Sequence, residues 1–426
     1  VTNSWTDHAI WWHVYPLGFL GADTTGADRS FAHRLPRLEA WFDHLTALGA
    51  NGLALGPVFE SASHGYDTLD HLRIDPRLGD ESDFERLIDA AHQRGIRVLL
   101  DGVFNHVGRG FGALAAAEAD PQAPENAWFR RSDDGPLLTF EGHDSLVALN
   151  HDEPAVADYV VSVMNHWLAL GADGWRLDAA YATPAAFWKK VLPRVRAEHP
   201  EAYIFGEVLH GDYVAFVEES GVDSVTQYEL WKAIWSSIET GNFFELDWAL
   251  QRHDEFLAAF VPFTFVGNHD VTRIASQVTD ARHHPHALVV LMTVGGTPAV
   301  YYGDEIALRG VKEERIGGDD AIRPAFPEVP GQLSGEASEV FELHRRLIGL
   351  RRRHPWLHRA TTRTVTLTNL GYVFEASAEG ERVVVALNLD DAPLRVETDA
   401  AALLEGAADH DGGRWIVPPH GWAVFG

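Results

Sequence analysis

Asp101, Asp178, Glu207 and Asp270 each end a short strand-like run: Val98-Leu99-Leu100, Gly174-Trp175-Arg176-Leu177, Ile204-Phe205-Gly206 and Phe265-Val266-Gly267-Asn268-His269. Any one of these acids could be a helix N-cap or a loop anchor. Four in series at strand tips are hard to explain that way. Arg176 stands two residues before Asp178, so the two share one face of an extended chain. Carboxylates paired in this manner can cleave a glycosidic bond with retention of configuration. One, ionised, attacks the anomeric carbon, and the other, protonated, releases the leaving oxygen, across about 5 Å. Two neighbouring strand tips supply that separation. On the residues alone, Arg176 predicts an ionised Asp178, and the apolar Ile204-Phe205 before Glu207 predict a raised pKa there.

Positioning four tips on one mouth requires parallel strands, and the chain alternates apolar strands with amphipathic helices from its first residues. Ala9–Tyr15 reads as strand one. Leu35, Leu38, Trp41, Phe42, Leu45 and Leu48 recur at helical spacing up to Gly49, and Gly52–Gly56 reads as strand two. Ser82-Asp83-Phe84-Glu85 reads as a capping box, its helix runs to Gly95, and Ile96–Leu100 is the buried strand that delivers Asp101. Further strands fall before Asp178, at Tyr203–Glu207, at Val222–Val225, at Phe263–Val266 and at Pro298–Tyr302. The total of eight is that of a (β/α)8 TIM barrel, whose active face lies at the C-terminal ends of the strands. The alternation lapses after His106, which predicts an inserted subdomain over that face. Beyond a helix over 341–352, period-two runs at 361–367, 371–376, 382–389, 393–398 and 415–425 predict a C-terminal antiparallel β-sandwich domain. The expected organisation is residues 1–106 and 153–356 for the barrel, 107–152 for the insertion and 357–426 for the β domain.

Composition narrows the partners. With 62 Asp+Glu against 34 Lys+Arg the formal charge is −28 over 426 residues, a field that repels phosphate backbones and anionic membranes. Nucleic acid and membrane are therefore not expected as partners, whereas a neutral sugar is not penalised. The absence of cysteine removes disulfides and thiolate metal sites. The start, Val1-Thr2-Asn3-Ser4-Trp5, lacks a secretory pattern and no apolar run approaches membrane-spanning length, so a cytoplasmic location is expected. Aromatic residues make up 11% of the chain, with 14 Trp, and flat rings suit sugar faces.

In order, composition and spacing, Asp101–His106, Gly174–Asp178, Phe205–Val208 and Phe265–Asp270 resemble the signature regions of the α-amylase family, glycoside hydrolase family 13. The resemblance runs from Tyr15 through Gly303-Asp304-Glu305 to Pro418–Trp422 and implies a retaining α-glucan enzyme. It makes Asp178 the nucleophile, Glu207 the general acid/base and Asp270 the carboxylate that orients and distorts the sugar. It also makes His106 and His269 hydrogen-bond donors to sugar hydroxyls and Tyr66 a stacking platform. Asp101 and Arg176 would support the reactive ring, and Asp67, His210 and Arg273 would serve the acceptor side. Leu149-Asn150 and Glu207-Val208-Leu209-His210 resemble the neopullulanase and cyclomaltodextrinase subgroup, which favours small linear or cyclic α-1,4 glucans, α-1,6-containing ones included. Strand one at Ala9 departs from that subgroup, which carries an N-terminal domain, and so does Val147-Ala148 where the subgroup has Pro-Lys. Those departures, with the expected location, also suit a relative that hydrolyses cyclic maltosyl-maltose.

Secreted amylases bind calcium where Asn105 meets the insertion, helped by a Lys-His pair after the nucleophile. Ala180-Tyr181-Ala182 replaces that pair here, so neither cofactor nor structural metal is expected; calcium wants six or more oxygens. The same three carboxylates serve transglycosylases and isomerases of the trehalose-synthase kind. A non-catalytic amylase-like binding subunit would have lost the acid or the nucleophile, and both are present. The partner expected is a small oligosaccharide, with the oligomeric state, a homodimer included, left open.

Overall fold

The computed structural model describes residues 5–132, 135–315 and 317–426; the opening residues 1–4, read above for a leader, lie outside them. Eight parallel strands form the first layer: β1 (Trp11–Val14), β2 (Gly52–Leu55), β3 (Arg97–Gly102), β4 (Gly174–Leu177), β5 (Tyr203–Gly206), β6 (Ser224–Val225), β7 (Phe263–Phe265) and β8 (Thr297–Tyr301). Their order around the sheet is β6-β5-β4-β3-β2-β1-β8-β7. A parallel bridge between Thr226 and Phe263, with the Gln227 N–H donating to Phe263 O at 2.9 Å, brings the two edges together. The ring is thus nearly closed as a (β/α)8, or TIM, barrel. Every residue of β1, β2, β4, β5, β7 and β8 is buried, as strands covered on both faces must be. Two glycines let the strands and their fillings approach. A Cβ on Gly52 would lie 2.2 Å from the Trp11 ring, and one on Gly174 would lie 1.9 Å from Tyr203 O.

Local details differ from the sequence reading where side-chain chemistry competes. The N-cap before the helix Glu81–Gln93 is Asp80 rather than Ser82. Asp80 accepts from the Asp83 N–H, the Asp83 carboxylate accepts from the Asp80 N–H, and the Ser82 hydroxyl donates back to Asp80 Oδ1 at 2.6 Å. The expected single helix up to Leu48 is a 3-10 stretch, Leu35–Trp41, followed by an α-helix, Phe42–Leu48, ended by Gly49 in the left-handed region (φ 98°).

After β3 the chain leaves the barrel through an antiparallel pair, His106–Gly108 with Leu146–Ala148, that frames a helix (Gly112–Ala119) and a 3-10 turn (Pro124–Trp128). Past the long helix Gly335–Arg353 come a five-stranded and a three-stranded antiparallel sheet that bury Val373, Val384, Val396, Val417 and Phe425 together. Two of these strands, Leu403–Gly406 and Asp409–Asp411, have no period-two signal; the second is wholly exposed. The run 415–425 splits into Arg414–Val417 and Trp422–Phe425 around a turn in which His420 has φ 55°. No helix among the described residues is long and apolar enough to cross a membrane.

Candidate active site

The strand ladder continues past the ends of β3 to β5 and so fixes the backbone of two acids: Asp178 N–H donates to Gly102 O at 3.0 Å, and Glu207 N–H to Leu177 O at 2.9 Å. Arg176 is paired in register with Asp101 on one side and Phe205 on the other, which aims its side chain into the barrel mouth. Its Nη1 donates to both oxygens of Asp101 at 2.7 Å and to Asp178 Oδ1 at 3.1 Å, while Nη2 lies 2.8 Å from Glu207 Oε1. One guanidinium therefore spans three carboxylates. Burial alone would lower its pKa, but Asp101 and Glu207 lead the charges that drive it well above the usual value.

Glu207 accepts two further hydrogen bonds, from the Tyr228 hydroxyl on Oε1 at 3.2 Å and from the Ala179 N–H on Oε2 at 3.0 Å. Ala179 achieves this in the left-handed region, at φ 44°, immediately after Asp178. Asn268 ties Glu207 to the fourth acid: its Nδ2 donates to the Tyr228 hydroxyl at 2.8 Å and its Oδ1 accepts the Asp270 N–H at 2.8 Å. Asp270 faces Arg323 Nη2 at 2.7 Å and His269 Nε2 at 2.9 Å. Tyr66 lies parallel to the His269 ring, centroids 5.4 Å apart, with its hydroxyl on His269 Nε2 and, at 3.2 Å, on Asp101 Oδ2.

The structure does not give Asp178 the lowered pKa that its neighbour Arg176 predicts. Burial pushes the Asp178 carboxyl well above the usual range, with Arg176 opposing and the neighbouring acids reinforcing, and burial also raises Asp101. The contacts of the Glu207 carboxylate are polar, with Arg176, the Tyr228 hydroxyl and the Ala179 N–H. Ile204 packs outward against the helices, whereas Phe205, two residues before Glu207 and on the same face, lies deeper inside the barrel, stacked on Phe263 with centroids 4.2 Å apart. Asp270 is different again: against the burial that would raise it, His269 and Arg323 hold it well below the carboxylate range.

Asp178, Glu207 and Asp270 open onto a cleft of about 320 Å³ whose walls include Tyr66, His106, Phe140, Glu141, Tyr181 and Lys312. A second cleft, of about 450 Å³, shares Tyr66 and continues along Tyr15, His64, Asp319 and Arg323. His106 forms part of the wall with both ring nitrogens engaged, Nε2 on Tyr66 O at 3.1 Å and Nδ1 on Asn105 Nδ2 at 3.1 Å. Burial lowers its pKa to about 4, so the ring is neutral. His210 is exposed at the rim, its ring 6.3 Å from that of Tyr181. Asp67 and Arg273 line neither cleft. Asp67 turns into its own loop, accepting from Ser63 Oγ at 2.5 Å and Ser63 N at 3.0 Å. Arg273 is fully buried on Asp304 Oδ1 and on the carbonyls of Tyr302 and Ile322. Asn105, the position where secreted amylases bind calcium, gives its Nδ2 to His106. The His, Asp and Glu groups that converge at ligand distance among the described residues are Asp280, His283, His420 and His33, Asp80, Asp83, neither of which lines the cleft.

Residues 35–334, most of the barrel, match the sequence profile of the α-amylase catalytic domain. The chain belongs to the α-amylase family, glycoside hydrolase family 13. Among relatives of this α-amylase-family enzyme, neopullulanase 2 of Thermoactinomyces vulgaris is 30% identical over 423 residues, 91% of this chain and 70% of the relative. A cyclomaltodextrinase of a Bacillus species is 30% identical over 430 residues, 91% of this chain and 74% of the relative. The solved cyclic α-maltosyl-(1→6)-maltose hydrolase of Arthrobacter globiformis superposes with a TM-score of 0.83 at 25% identity, covering 99% of both chains. In this α-amylase-family enzyme, sequence reading passed over Arg323, Tyr228, Asn268 and Glu141 as contributors to the site. Arg323 and Glu141 carry no local signal, since they reach the mouth only through loops distant in sequence. Asn268 and Tyr228 had one: Asn268 adjoins the His269-Asp270 motif, and Tyr228 follows a strand directly.

Proposed function

We propose that this chain is a retaining α-glucosidic hydrolase of short linear or cyclic α-1,4 glucans, α-1,6-containing ones included, releasing maltose-type products through a covalent glycosyl-enzyme. The observation that carries the reading is the single guanidinium that touches both Asp178 and Glu207, which keeps the two acids a guanidinium's width and two hydrogen bonds apart. Retaining chemistry asks for about 5 Å. Four acids, Asp101, Asp178, Glu207 and Asp270, are ion-paired by only two guanidinium groups, Arg176 and Arg323, which favours keeping a proton among the acids. That proton is what the reaction spends first. Asp178 Oδ attacks the anomeric carbon as the glycosidic C–O bond breaks, and Glu207 delivers the proton to the leaving oxygen. Water then gives a proton back to Glu207, attacks the anomeric carbon and frees Asp178. Asp270, held ionised by His269 and Arg323, suits the hydroxyls of the distorted ring and its developing positive charge. Similarity to relatives named neopullulanase and cyclomaltodextrinase supports a small or cyclic substrate for this chain.

A panel of maltotriose, maltohexaose, pullulan, starch, a cyclodextrin and cyclic maltosyl-maltose, read by chromatography and reducing-end assay, tests this. Small substrates are expected to be cleaved faster than starch, with the new reducing end first appearing by NMR as the α-anomer. Conserved reducing ends would mean transfer or isomerisation, and a starch optimum would overturn the small-substrate reading.

The reaction as proposed needs no metal. Dialysis against EGTA is expected to leave kcat and Tm unchanged; in a chain of this size each 1 kcal/mol of lost binding would lower Tm by about 1 °C, so the loss of a tightly bound cation would show as a drop of several degrees. A drop that Ca²⁺ reverses would show that a cation is part of the fold.

A further inference from the structure

The tip of the inserted segment crosses the cleft. Phe140 lies on the His106 ring with centroids 4.7 Å apart and planes 15° apart. The next residue, Glu141, is held in the left-handed region at φ 50°, ψ 27°, a conformation that a residue with a Cβ adopts only where its surroundings demand it. What that conformation achieves is a contact. The Glu141 carboxylate accepts the Tyr181 hydroxyl at 2.7 Å, joining the insertion to the loop that follows Asp178. Burial and Glu141 together raise the Tyr181 phenol, so it remains a donor. Both residues line the cleft that holds the acids.

Which end the contact closes follows from its neighbours. Tyr181 N–H donates to Glu207 O at 3.2 Å, so the bridge stands on the Glu207 side. The second cleft lies beyond Tyr66 on the other side, where Arg323 holds Asp270. A group that protonates the leaving oxygen faces the leaving-group sugar. The bridge therefore stands where the leaving-group end of a glucan would run.

We propose that the Glu141–Tyr181 bridge determines chain-length specificity, holding the leaving-group side to short glucosyl stretches and opening only when a long or cyclic glucan displaces it. The inference rests on the hydrolase reading above. Because Glu141 is exposed, the bridge is the kind of contact a substrate can break.

Wild type, Glu141→Ala, Tyr181→Phe and Glu141→Gln are compared by kcat/KM on maltotriose, maltoheptaose and β-cyclodextrin, with folding checked by Tm. Glu141→Ala and Tyr181→Phe remove the bridge and are expected to raise the ratio of each larger substrate to maltotriose about tenfold, which corresponds to about 1.4 kcal/mol. Glu141→Gln keeps an acceptor oxygen and is expected to hold the wild-type ratio. A ratio that stays level or falls in either broken-bridge variant, or a Gln variant that shifts as far as Ala, overturns the inference. The two readings fail separately. A wild type that releases no reducing ends from any of the three refutes the hydrolase, whereas hydrolysis with unmoved ratios refutes the bridge alone.

Discussion

Asp178→Asn is expected to lower kcat on maltotriose by a factor on the order of 10⁴ or more, because the amide cannot form the glycosyl ester and the route through it is lost. The fold should survive, and stability should rise. The folded protein holds the Asp178 carboxyl well above its ordinary range, chiefly through burial. An acid whose pKa is raised on folding favours the folded state only while it is protonated. Above that raised pKa, ionisation costs the folded chain more than the unfolded one, so a neutral isostere at 178 relieves a penalty at pH 8. The relief shrinks as the pH falls through the folded pKa, where wild type is protonated as well. Thermal unfolding at pH 8 and pH 5 should thus show a Tm gain of about 2 °C at the higher pH and a smaller one at the lower. A residual rate within tenfold of wild type would remove Asp178 from the nucleophile's role and, with it, the covalent mechanism.

How much of this was legible beforehand depends on whether the determinants are local. The barrel strands are readable because both their faces are covered, so stretches such as Leu53-Ala54-Leu55 and Val98-Leu99-Leu100 show as continuous apolar runs. The acids at their tips are readable because position along a strand fixes which end of the barrel they reach. Two things hide from a one-dimensional reading. One is contact between distant loops: Arg323 reaches Asp270, and Glu141 reaches Tyr181, across separations that no periodicity records. The other is the direction of a side chain. Ile204 precedes Glu207 in the chain but points to the opposite face, into the helix layer, so only Phe205 of the two apolar residues shares the barrel interior with it. Exposed polar strands such as Asp409–Asp411 were missed for a third reason, since pairing with Arg414–Val417 rather than burial of their own side chains makes them strands.

Arg176 is the residue whose loss should cost the fold most. It is nine-tenths buried and meets Asp101, Asp178 and Glu207, so Arg176→Met would leave three acids around an apolar side chain of similar length. Removing one partner from a buried ion pair typically costs about 3–5 kcal/mol. Here the cost should depend on pH. Without the guanidinium the acids repel one another and their pKa values climb, so at pH 8 the folded state bears ionised, uncompensated groups, while at pH 5 it can take up protons and shed most of the penalty. Urea unfolding at the two pH values is expected to show the Met variant destabilised by several kcal/mol at pH 8 and by distinctly less at pH 5. Arg176→Lys separates charge from geometry. A single ammonium restores one positive charge but cannot span three carboxylates as a planar fork does, so much of the pH 8 stability should return while kcat stays low. Equal destabilisation of Arg176→Met at both pH values would mean that the residue matters through its packing, and the electrostatic account of the mouth would then be wrong.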